Sequence, residues 1–316
     1  MVVMSGTKLA AELEISRSAV WRFVQQLRGL GVQIAGHPAT GYRLEAVPDL
    51  LLPEFIVGGL AGTMFSKNIH HYFRVGSTNQ AAMAAAGTGE PAGSVFLAEE
   101  QTAGRGRGGH SWHSEKSSGI YCSVLLRPDL PPSEVLVVSL AVGLAAQVAV
   151  EQVIGTRPDL RWPNDLLLGG KKFAGILTEM NAEATQVRFV VVGVGINVNQ
   201  QHFPAELAEI ATSLRRETGR PWSRLELVTA LLKSLDREFR MLLPQRVGIG
   251  PAPPEAAMTI IRRFEERSSY ARGKRVHVEE NGGFEGVTTG LDDRGFLLVK
   301  ARDGLRTVLS GGVREL

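Results

Sequence analysis

The chain has 316 residues, of which 44% are hydrophobic and 21% charged, a composition that fits a folded protein of two or three domains. Its net charge of +3 is too small to identify a partner, although paired arginines such as Arg215 and Arg216 fit an anionic one. The single cysteine, Cys122, excludes an intramolecular disulfide and a cysteine-rich metal site, which is typical of a reducing cytoplasm. Because Cys122 lies in an apolar run, we expect it to be a buried core residue.

Helical periodicity dominates the chain up to about Val47. A short helix is predicted over Thr7–Leu13, and a second helix begins after Ser16, whose side chain stands where an N-cap belongs. The second helix carries an apolar stripe at the i, i+3, i+4, i+7 spacing, formed by Val20, Phe23, Val24, Leu27 and Leu30. We expect this stripe to be buried.

Two strand-like runs follow the helix pair, Val32–Ala35 and Tyr42–Glu45, and the tip between them at Gly36–Gly41 predicts a β-hairpin. Helix, turn, helix and wing form the winged helix-turn-helix pattern, with Ser16–Leu27 as the recognition helix. The side chains predicted to contact DNA lie at the start of this helix: Ser16, Arg17, Ser18, Trp21 and Arg22. A small interaction module is the alternative, because only some helix pairs bind DNA.

After a linker at Val47–Pro53, the chain mixes strand-like and helical runs, which predicts an α+β unit with a mixed sheet. The strand-like runs are 71–75, 94–99, 120–126, 166–168, 175–180 and 187–192, and the helical runs are 79–86, 135–154, 225–243 and 255–267. The apolar segment Val135–Val150 is interrupted by Ser139 and Gln147 and is shorter than the roughly 20 residues of a membrane span. We therefore expect a buried core helix and no membrane partner.

From Tyr270 onward the pattern changes to short strands joined by turns, after a segment rich in proline and glycine at Pro244–Pro254. Turns are predicted at Asn281–Gly283 and Asp292–Gly295, between strands at 275–278, 286–289, 296–299 and 306–309. This spacing predicts a small β-barrel of the SH3-like kind. The predicted domain boundaries are 1–48, 54–268 and 269–316.

A loop rich in glycine and arginine, Gly104–Trp112, is the strongest chemical motif of the chain. Its glycines let the backbone approach an anion and swing between open and closed states, while Arg105 and Arg107 supply positive charge to a phosphate. A basic RNA-binding loop of the RGG type is the alternative. The motif occurs once, between two strands of a folded domain, and this argues against RNA.

Three further polar clusters accompany the loop. Ser77–Asn79 precedes a helix, where its side chains either cap the helix or bind a neutral polar ligand. Arg161–Asp165 forms a turn before Lys172, a residue type that on its own is usually only solvated. Asn197 follows a Gly-x-Gly turn at the end of an apolar strand, which weakly indicates nucleotide binding and leaves a structural role as the alternative.

In this order and spacing, the motifs resemble those of the biotin protein ligase family. The matching segments are Ser77–Asn79, Gln101 before the loop, Arg161–Asp165, Lys172 with Gly175–Leu177, and Gly195–Asn199. The winged helix and the SH3-like barrel match the bifunctional class, in which the ligase also represses biotin synthesis genes. The resemblance covers nearly the whole chain and implies a class II synthetase-like fold for the central domain.

The resemblance implies that the chain activates biotin with ATP to biotinyl-5'-AMP and transfers it to a lysine of a biotin carboxyl carrier protein. The implied biotin-binding residues are Ser77, Thr78, Asn79, Gln101, Arg105, Gly106, Arg107, Lys172 and Gly175. The implied ATP or adenylate residues are Asn164, Asp165, Asn197, Arg107 and Lys172, and the catalytic residues are Lys172, Arg107 and Arg105. Mg²⁺ is expected on the phosphates, without a dedicated protein site. Operator DNA as a partner, a homodimer when the adenylate is bound, and a cytoplasmic location are further expectations.

These residue types suit the chemistry. Neutral donors and acceptors at Ser77, Thr78 and Gln101 bind a ureido ring without burying a charge. A compact cation at Lys172 offsets the repulsion between a carboxylate and an α-phosphate. Because the mixed anhydride hydrolyses in water, a loop that closes over it is required.

Two features depart from the family pattern. The bifunctional relatives usually carry further arginines within the loop, whereas this sequence has Gly108 and His110, so the loop is less basic. The family's winged domain begins with an additional helix, which we expect to be missing here.

Two other functions are alternatives: a lipoate or octanoate ligase on a related catalytic fold, and a regulator that senses a ligand through an inactive ligase domain.

Overall fold

The computed structural model describes residues 3–29, 32–37, 40–46, 49–242, 254–280, 282–310 and 312–316. The chain divides into two compact units, Met1–Leu50 and Leu51–Leu316. The elements of the first unit are β1 (Val3–Met4), α1 (Gly6–Glu12), α2 (Arg17–Gly29), β2 (Gln33–His37) and β3 (Gly41–Ala46). The predicted Leu30, positions 38 and 39 of the hairpin tip, most of the segment 244–254, and Asn281 lie outside the described residues.

The first unit has the predicted winged helix-turn-helix arrangement. Ser5 Oγ accepts from Lys8 N at 3.1 Å to cap α1, and Ser16 Oγ accepts from Ala19 N at 3.1 Å to cap α2, as predicted. Strands β2 and β3 form the predicted hairpin. Strand β1 pairs with the other edge of β3 and was not predicted, because two residues carry no readable periodicity.

The apolar stripe of α2 is narrower than predicted. Val20 and Val24 are buried, but Phe23 is 46% exposed and Leu27 is 36% exposed, so the expectation that the whole stripe is buried was wrong. Within the described part of this unit, α2 packs against α1 and β2, and these two neighbours cover one side of the helix.

A mixed seven-stranded sheet forms the centre of the second unit, in the order β4-β5-β6-β10-β9-β8-β7. Only β4 and β5 run parallel, and every other neighbouring pair of this sheet is antiparallel. The elements as far as the last helix are α3 (Pro53–Ile56), β4 (Ile69–Tyr72), α4 (Thr78–Gly87), β5 (Val95–Ala98), β6 (Gly119–Leu126), α5 (Val135–Ile154), β7 (Asp159–Arg161), β8 (Asp165–Leu168), β9 (Lys171–Ala182), β10 (Val187–Asn197), α6 (Leu214–Thr218), α7 (Arg224–Leu242) and α8 (Pro254–Arg267).

The two faces of this sheet have different partners. Side chains alternate along a strand, so Val192, Val194 and Ile196 of β10 lie in the main core, which also contains α5 and α7. On the opposite face, Val191 packs with Ala82 of α4 in a smaller apolar cluster. Gly193 and Gly195 of β10 follow on this second face, where the absence of a side chain lets Asn79 and Trp112 approach the strand closely.

Helix α5 is the apolar helix that could be mistaken for a membrane span. It is long and apolar enough to cross a membrane, but 72% of its apolar window is buried inside the protein. Its buried amide side chain, Gln147, is 0% exposed and donates to Pro158 O at 2.7 Å. The helix belongs to the core of the sheet, as the sequence predicted.

The chain ends in a five-stranded antiparallel sheet, in the order β14-β13-β12-β11-β15. Its strands are β11 (Arg272–Val278), β12 (Phe284–Leu291), β13 (Leu297–Ala301), β14 (Gly304–Val308) and β15 (Val313–Glu315). Four of them match the predicted strands, and β15 was missed because it is short. The indole of Trp162 donates to Gly295 O at 2.9 Å and joins this sheet to the central one. The boundaries at 54–268 and 269–316 stay predictions.

Candidate active site

A cleft beside α4 collects the residues that the motifs singled out. All nine residues predicted to bind biotin line it, together with Asn164 of the predicted ATP set. Asp165 and Asn197 are not among its lining residues. Residues that were not predicted as site residues complete the lining: Trp112, Tyr121, Cys122, Ile176, Leu177, Gly193, Val194 and Gly195.

One end of the cleft is polar and neutral. Ser77 is the N-cap of α4, and its hydroxyl lies 3.5 Å from Gln80 N. Gln101 Oε1 accepts from the backbone N of Thr78 at 2.9 Å and from its hydroxyl at 3.2 Å. Gln101 Nε2 donates to Ser114 Oγ at 2.9 Å, a contact that the sequence did not indicate. This end offers donors and acceptors to a neutral polar group without burying a charge.

Asn79 holds α4 against the sheet. Its Nδ2 donates to Leu177 O at 3.2 Å and to Glu179 Oε2 at 2.8 Å, and its Oδ1 accepts from the Ser123 hydroxyl at 2.6 Å. A Cβ on Gly193 would lie 2.2 Å from Asn79 Oδ1, so this close approach requires glycine. The polar atoms of Asn79 are engaged by the protein, and the residue shapes one wall of the cleft.

The loop rich in glycine and arginine folds back on itself as a small hairpin. Trp112 N donates to Gly104 O at 2.9 Å, and Gly106 N donates to His110 O at 2.7 Å. The chain reverses at Gly108, whose φ of 63° is one that residues with a side chain rarely adopt. The loop departs from the arginine-rich family pattern at Gly108, and this turn is a structural reason for glycine at that position.

The Trp112 indole lies in a slot on the sheet that exists because two neighbouring strands carry glycine there. A Cβ on Gly195 of β10 would lie 2.5 Å from the indole Cε2, and a Cβ on Gly175 of β9 would lie 3.0 Å from Cζ3. These glycines are partners across the two strands. The indole Nε1–H is buried and has no hydrogen-bond partner among the described residues. Sequence reasoning missed this role of Trp112, although the glycines on both strands were a signal for it.

The other end of the cleft is cationic. Lys172, the second residue of β9, has its Nζ 2.6 Å from Asp165 Oδ1, and Arg161 Nη2 lies 2.6 Å from Asp165 Oδ2. Lys172 Nζ also lies 5.5 Å from the centroid of the Trp112 ring, within cation–π range. Because two cations share one carboxylate, this end keeps a net positive charge that attracts anionic groups.

Arg107 connects the loop to two other parts of the second unit. Its Nη1 donates to Asn164 Oδ1 at 3.1 Å, and its Nη2 donates to Ser310 O at 3.1 Å, in the turn after β14. Burial lowers the pKa of Arg107 below its ordinary value, and the charge of Asp165 partly opposes this. The guanidinium still stays charged at neutral pH. The contact with Ser310 could not be predicted, because no motif marks that turn.

Asn197 lies at the end of β10 with its side chain turned into the protein. It is 5% exposed, its Nδ2 donates to Thr212 O at 3.1 Å, and its Oδ1 accepts from Gln200 Nε2 at 3.4 Å. Thr212 N in turn donates to Lys172 O at 2.9 Å. Asn197 thus makes structural contacts and connects to Lys172 through the segment that contains Thr212.

The five residues predicted to contact DNA, Ser16, Arg17, Ser18, Trp21 and Arg22, lie at the start of α2. All five are exposed, and Trp21 is 58% exposed. The free side of α2 in the first unit therefore presents both arginines and a large aromatic ring to solvent.

Three family models match successive parts of the chain. They are an HTH domain at 3–43, the biotin/lipoate A/B protein ligase family at 74–197, and the biotin protein ligase C terminal domain at 272–313. The order of the matches agrees with the winged helix, the central mixed sheet and the C-terminal β domain.

Similar proteins extend over the same regions. The bifunctional ligase/repressor BirA of Bacillus subtilis (strain 168) is 35% identical, and the match covers 98% of this chain and 93% of that protein. A biotin--[acetyl-CoA-carboxylase] ligase of Mycobacterium tuberculosis is 37% identical over 76% of this chain and 85% of its own length. Among solved structures, a biotin protein ligase from Aquifex aeolicus in complex with biotin and ATP has a TM-score of 0.66 at 28% identity and covers 79% of this chain and 100% of its own. The predicted resemblance is confirmed, and the chain belongs to the biotin protein ligase family.

Proposed function

We propose that the chain activates biotin with ATP to biotinyl-5'-AMP and then transfers the biotinyl group to one lysine of a biotin carboxyl carrier protein. The observation that carries the proposal is the change in polarity along the cleft. A neutral polar end at Thr78 and Gln101 leads past the Trp112 slot to a cationic end at Lys172. Biotin has the same sequence of groups: a neutral ureido ring, an apolar tail and a carboxylate.

At the polar end, Ser77, Thr78 and Gln101 bind the ureido group. Its oxygen accepts and its two N–H groups donate, so a hydroxyl and an amide side chain can satisfy it without ionisation. Asn79, whose amide already contacts Ser123 and the backbone of β9, fixes the wall behind the ring.

In the middle of the cleft, Trp112 packs against the apolar tail of biotin. The indole rests on Gly175 and Gly195, and its lining position gives it a face toward the cleft. The backbone of Arg105, Gly106 and Arg107 covers the tail from the loop side. A closed loop also keeps water away from the mixed anhydride, which would otherwise hydrolyse.

At the cationic end, Lys172 contacts the biotin carboxylate and the α-phosphate of ATP. A carboxylate oxygen attacks the α-phosphorus and forms a new P–O bond while the bond to pyrophosphate breaks. Lys172, Arg105 and Arg107 stabilise the negative charge that gathers on the phosphoryl oxygens in the transition state. Asp165 orients Lys172 before ATP arrives, and Asn164 orients Arg107.

Asn197 acts at the ATP site through the backbone. It holds Thr212, whose N–H in turn pairs with the carbonyl of Lys172. The residue thus keeps the segment after β10 in contact with the start of β9, where the phosphates bind.

A magnesium ion would be held mainly by the phosphates of ATP, with little help from protein side chains. Asn164 and Asp165 offer oxygen atoms, but both carboxylate oxygens of Asp165 are already paired with Lys172 and Arg161. The described residues contain no cluster of three side chains of the kind that holds a metal. When bound, Mg²⁺ neutralises phosphate charge during the displacement.

The same chain represses transcription through its first unit when the adenylate is bound, as a homodimer in the cytoplasm. Arg17 and Arg22 contact the phosphates of operator DNA, and Trp21 contacts the groove. Support comes from the exposed start of α2 and from the match to an HTH domain. If the two arginines contact phosphates, the variant with both Arg17 and Arg22 replaced by alanine binds duplex DNA with lower affinity, and this affinity depends less on salt concentration.

The first half-reaction is tested by ATP–pyrophosphate exchange with the purified chain and magnesium, with biotin, lipoate and octanoate supplied in parallel. Exchange that depends on biotin alone supports the proposal. Exchange that depends on lipoate or octanoate moves the assignment to the related ligases of the same family model. A folded chain that exchanges with none of the three would be a ligand-sensing regulator.

A further inference from the structure

A fully buried ion pair lies at the base of the glycine- and arginine-rich loop. Glu99 directly follows β5, and Arg224 is the first residue of α7. Both side chains are 0% exposed, and Arg224 Nη2 lies 2.8 Å from Glu99 Oε2. Neither residue lines the cleft. Burying two charges costs desolvation free energy, which is offset only when the pair has good geometry and further hydrogen bonds.

The Glu99 carboxylate gathers donors from distant parts of the second unit. Its Oε1 accepts from Leu51 N at 2.8 Å and from His71 Nε2 at 3.3 Å. Its Oε2 accepts from Ser117 Oγ at 3.1 Å as well as from Arg224. Burial alone would raise the pKa of Glu99, but the contacts from His71 and Arg224 outweigh it and lower the pKa to about 2. The carboxylate is therefore charged at neutral pH.

These contacts close the base of the loop. Glu99 stands just before the loop, and Ser117, just after it, donates to Glu99 through its backbone N at 2.9 Å and through its hydroxyl. Ser117 has a φ of 53°, a conformation that residues other than glycine rarely adopt, so the contacts hold it in place. Arg224 Nη1 donates to Gly119 O at 3.1 Å and fixes the chain two residues further on.

The loop base is directly connected to the cleft. Gln101, two residues after Glu99, binds Thr78 at the polar end. Ser114, three residues before Ser117, accepts from the Gln101 side chain at 2.9 Å. A displacement of the base would therefore change the position of Gln101 and the course of the loop at the same time.

We propose that Glu99 and Arg224 are positioning residues for the adenylate: they fix both ends of the loop so that it closes over the mixed anhydride. The inference rests on the proposed function, because it needs an adenylate to be retained. The two residues act through Ser117, Gly119 and Gln101 and do not touch the ligand. Fixing the ends of a loop lowers the entropy lost when the loop orders over its ligand.

A second buried ion pair supplies a matched control. Glu238 of α7 accepts from Arg263 of α8 through both of its oxygens, at 2.7 and 2.8 Å. The Glu238 side chain is 8% exposed, close to the burial of Glu99, but its pair joins two helices away from the loop. Glu238→Gln therefore disturbs a buried charge pair without disturbing the loop base.

The experiment compares the full-length wild-type chain with Glu99→Gln, Ser117→Gly and Glu238→Gln. Radiolabelled biotinyl-adenylate is formed without carrier protein, and its release is followed by rapid gel filtration. In parallel, trypsin cleavage after Arg105 and Arg107 is measured with and without biotin and ATP. Ser117→Gly removes one hydroxyl while keeping a residue that tolerates the backbone conformation, so it decides the question if Glu99→Gln does not fold.

We expect Glu99→Gln to release the adenylate about tenfold faster than wild type, the effect of losing a charged hydrogen bond, and to lose ligand protection from trypsin. Ser117→Gly is expected to shift both readouts in the same direction. Glu238→Gln should behave like wild type in both, even with a lowered melting temperature. The inference would be overturned if Glu99→Gln and Ser117→Gly both released the adenylate as slowly as Glu238→Gln and kept the same protection from trypsin. The proposed function would then still stand. A wild-type chain that forms no adenylate would overturn the proposed function, and the inference with it.

Discussion

The slot for Trp112 gives a sharp test of how the cleft is built. In Gly195→Ala, the new Cβ would lie 2.5 Å from indole Cε2 and 2.6 Å from Nε1, distances that real Cβ atoms do not show. The backbone of β10 lies between β6 and β9 and cannot move away, so the ring must leave the slot. Overpacking of this kind costs about 1–3 kcal/mol of folding stability. A displaced ring also no longer covers the biotin tail, and two methylene groups left in water at about 0.8 kcal/mol each lower the biotin affinity by about tenfold.

A graded series makes this prediction specific. Gly175→Ala meets the same ring at 3.0 Å and should have a smaller effect, and Gly58→Ala, which meets nothing within 4 Å, should have none. Biotin affinity is measured by isothermal titration calorimetry, and stability by thermal unfolding. If the ring is the obstacle, adding Trp112→Ala to Gly195→Ala restores the melting temperature but not the biotin affinity.

Unchanged biotin affinity in Gly195→Ala, with a melting temperature like that of the Gly58→Ala control, would mean that Trp112 does not depend on the glycine slot and does not shape the biotin site.

Three further predictions concern charged residues. Lys172→Ala should lower biotin-dependent pyrophosphate exchange by about 10²–10³-fold at an unchanged melting temperature, whereas Lys171→Ala keeps it. Arg107→Gly should release the adenylate about tenfold faster, measured by gel filtration, because contacts to Asn164 and to the turn after β14 are lost. Glu99, with its pKa lowered from 4.5 to about 2, should contribute about 3 kcal/mol above pH 4.5 that is lost as the pH falls toward 2, measured by urea unfolding.

Each of these predictions has a contradicting outcome. Near-normal exchange in Lys172→Ala would remove this lysine from the reaction. Wild-type retention of the adenylate in Arg107→Gly would leave loop closure to other residues. If Glu99→Gln lost as much stability between pH 4.5 and 2 as wild type does, the acid sensitivity would come from other carboxylates.

Most of the central fold could be predicted because its strands and helices are long enough to show a period. The runs 120–126, 135–154 and 187–192 all appear within the observed β6, α5 and β10. Short strands such as β1, β7 and β15 carry no period and are defined only by pairing with a distant strand. The burial of Phe23 was predicted wrongly, because periodicity shows which side of a helix is apolar and cannot show how much of that side a neighbour covers.

Motif order predicted which residues would lie near one another, but not the contacts they make. Ser77, Gln101 and Lys172 line one cleft, whereas Asp165 and Asn197 do not line it. The pairing of Gly175 with Gly195 depends on strand register, which neither strand specifies by itself. The donation from Arg107 to Ser310 depends on a turn far along the chain that carries no chemical motif.

Transfer of biotin to a carrier protein tests the complete reaction. The purified chain is incubated with biotin, ATP, magnesium and a biotin carboxyl carrier domain, and the carrier is analysed by intact-mass spectrometry and peptide mapping. We expect the mass of one biotinyl group on a single lysine, formed only when biotin and ATP are both present and strongly reduced with Lys172→Ala. A carrier that stays unmodified by this chain, but is modified by an established biotin ligase under the same conditions, would mean that the chain is not a biotin protein ligase for that carrier class.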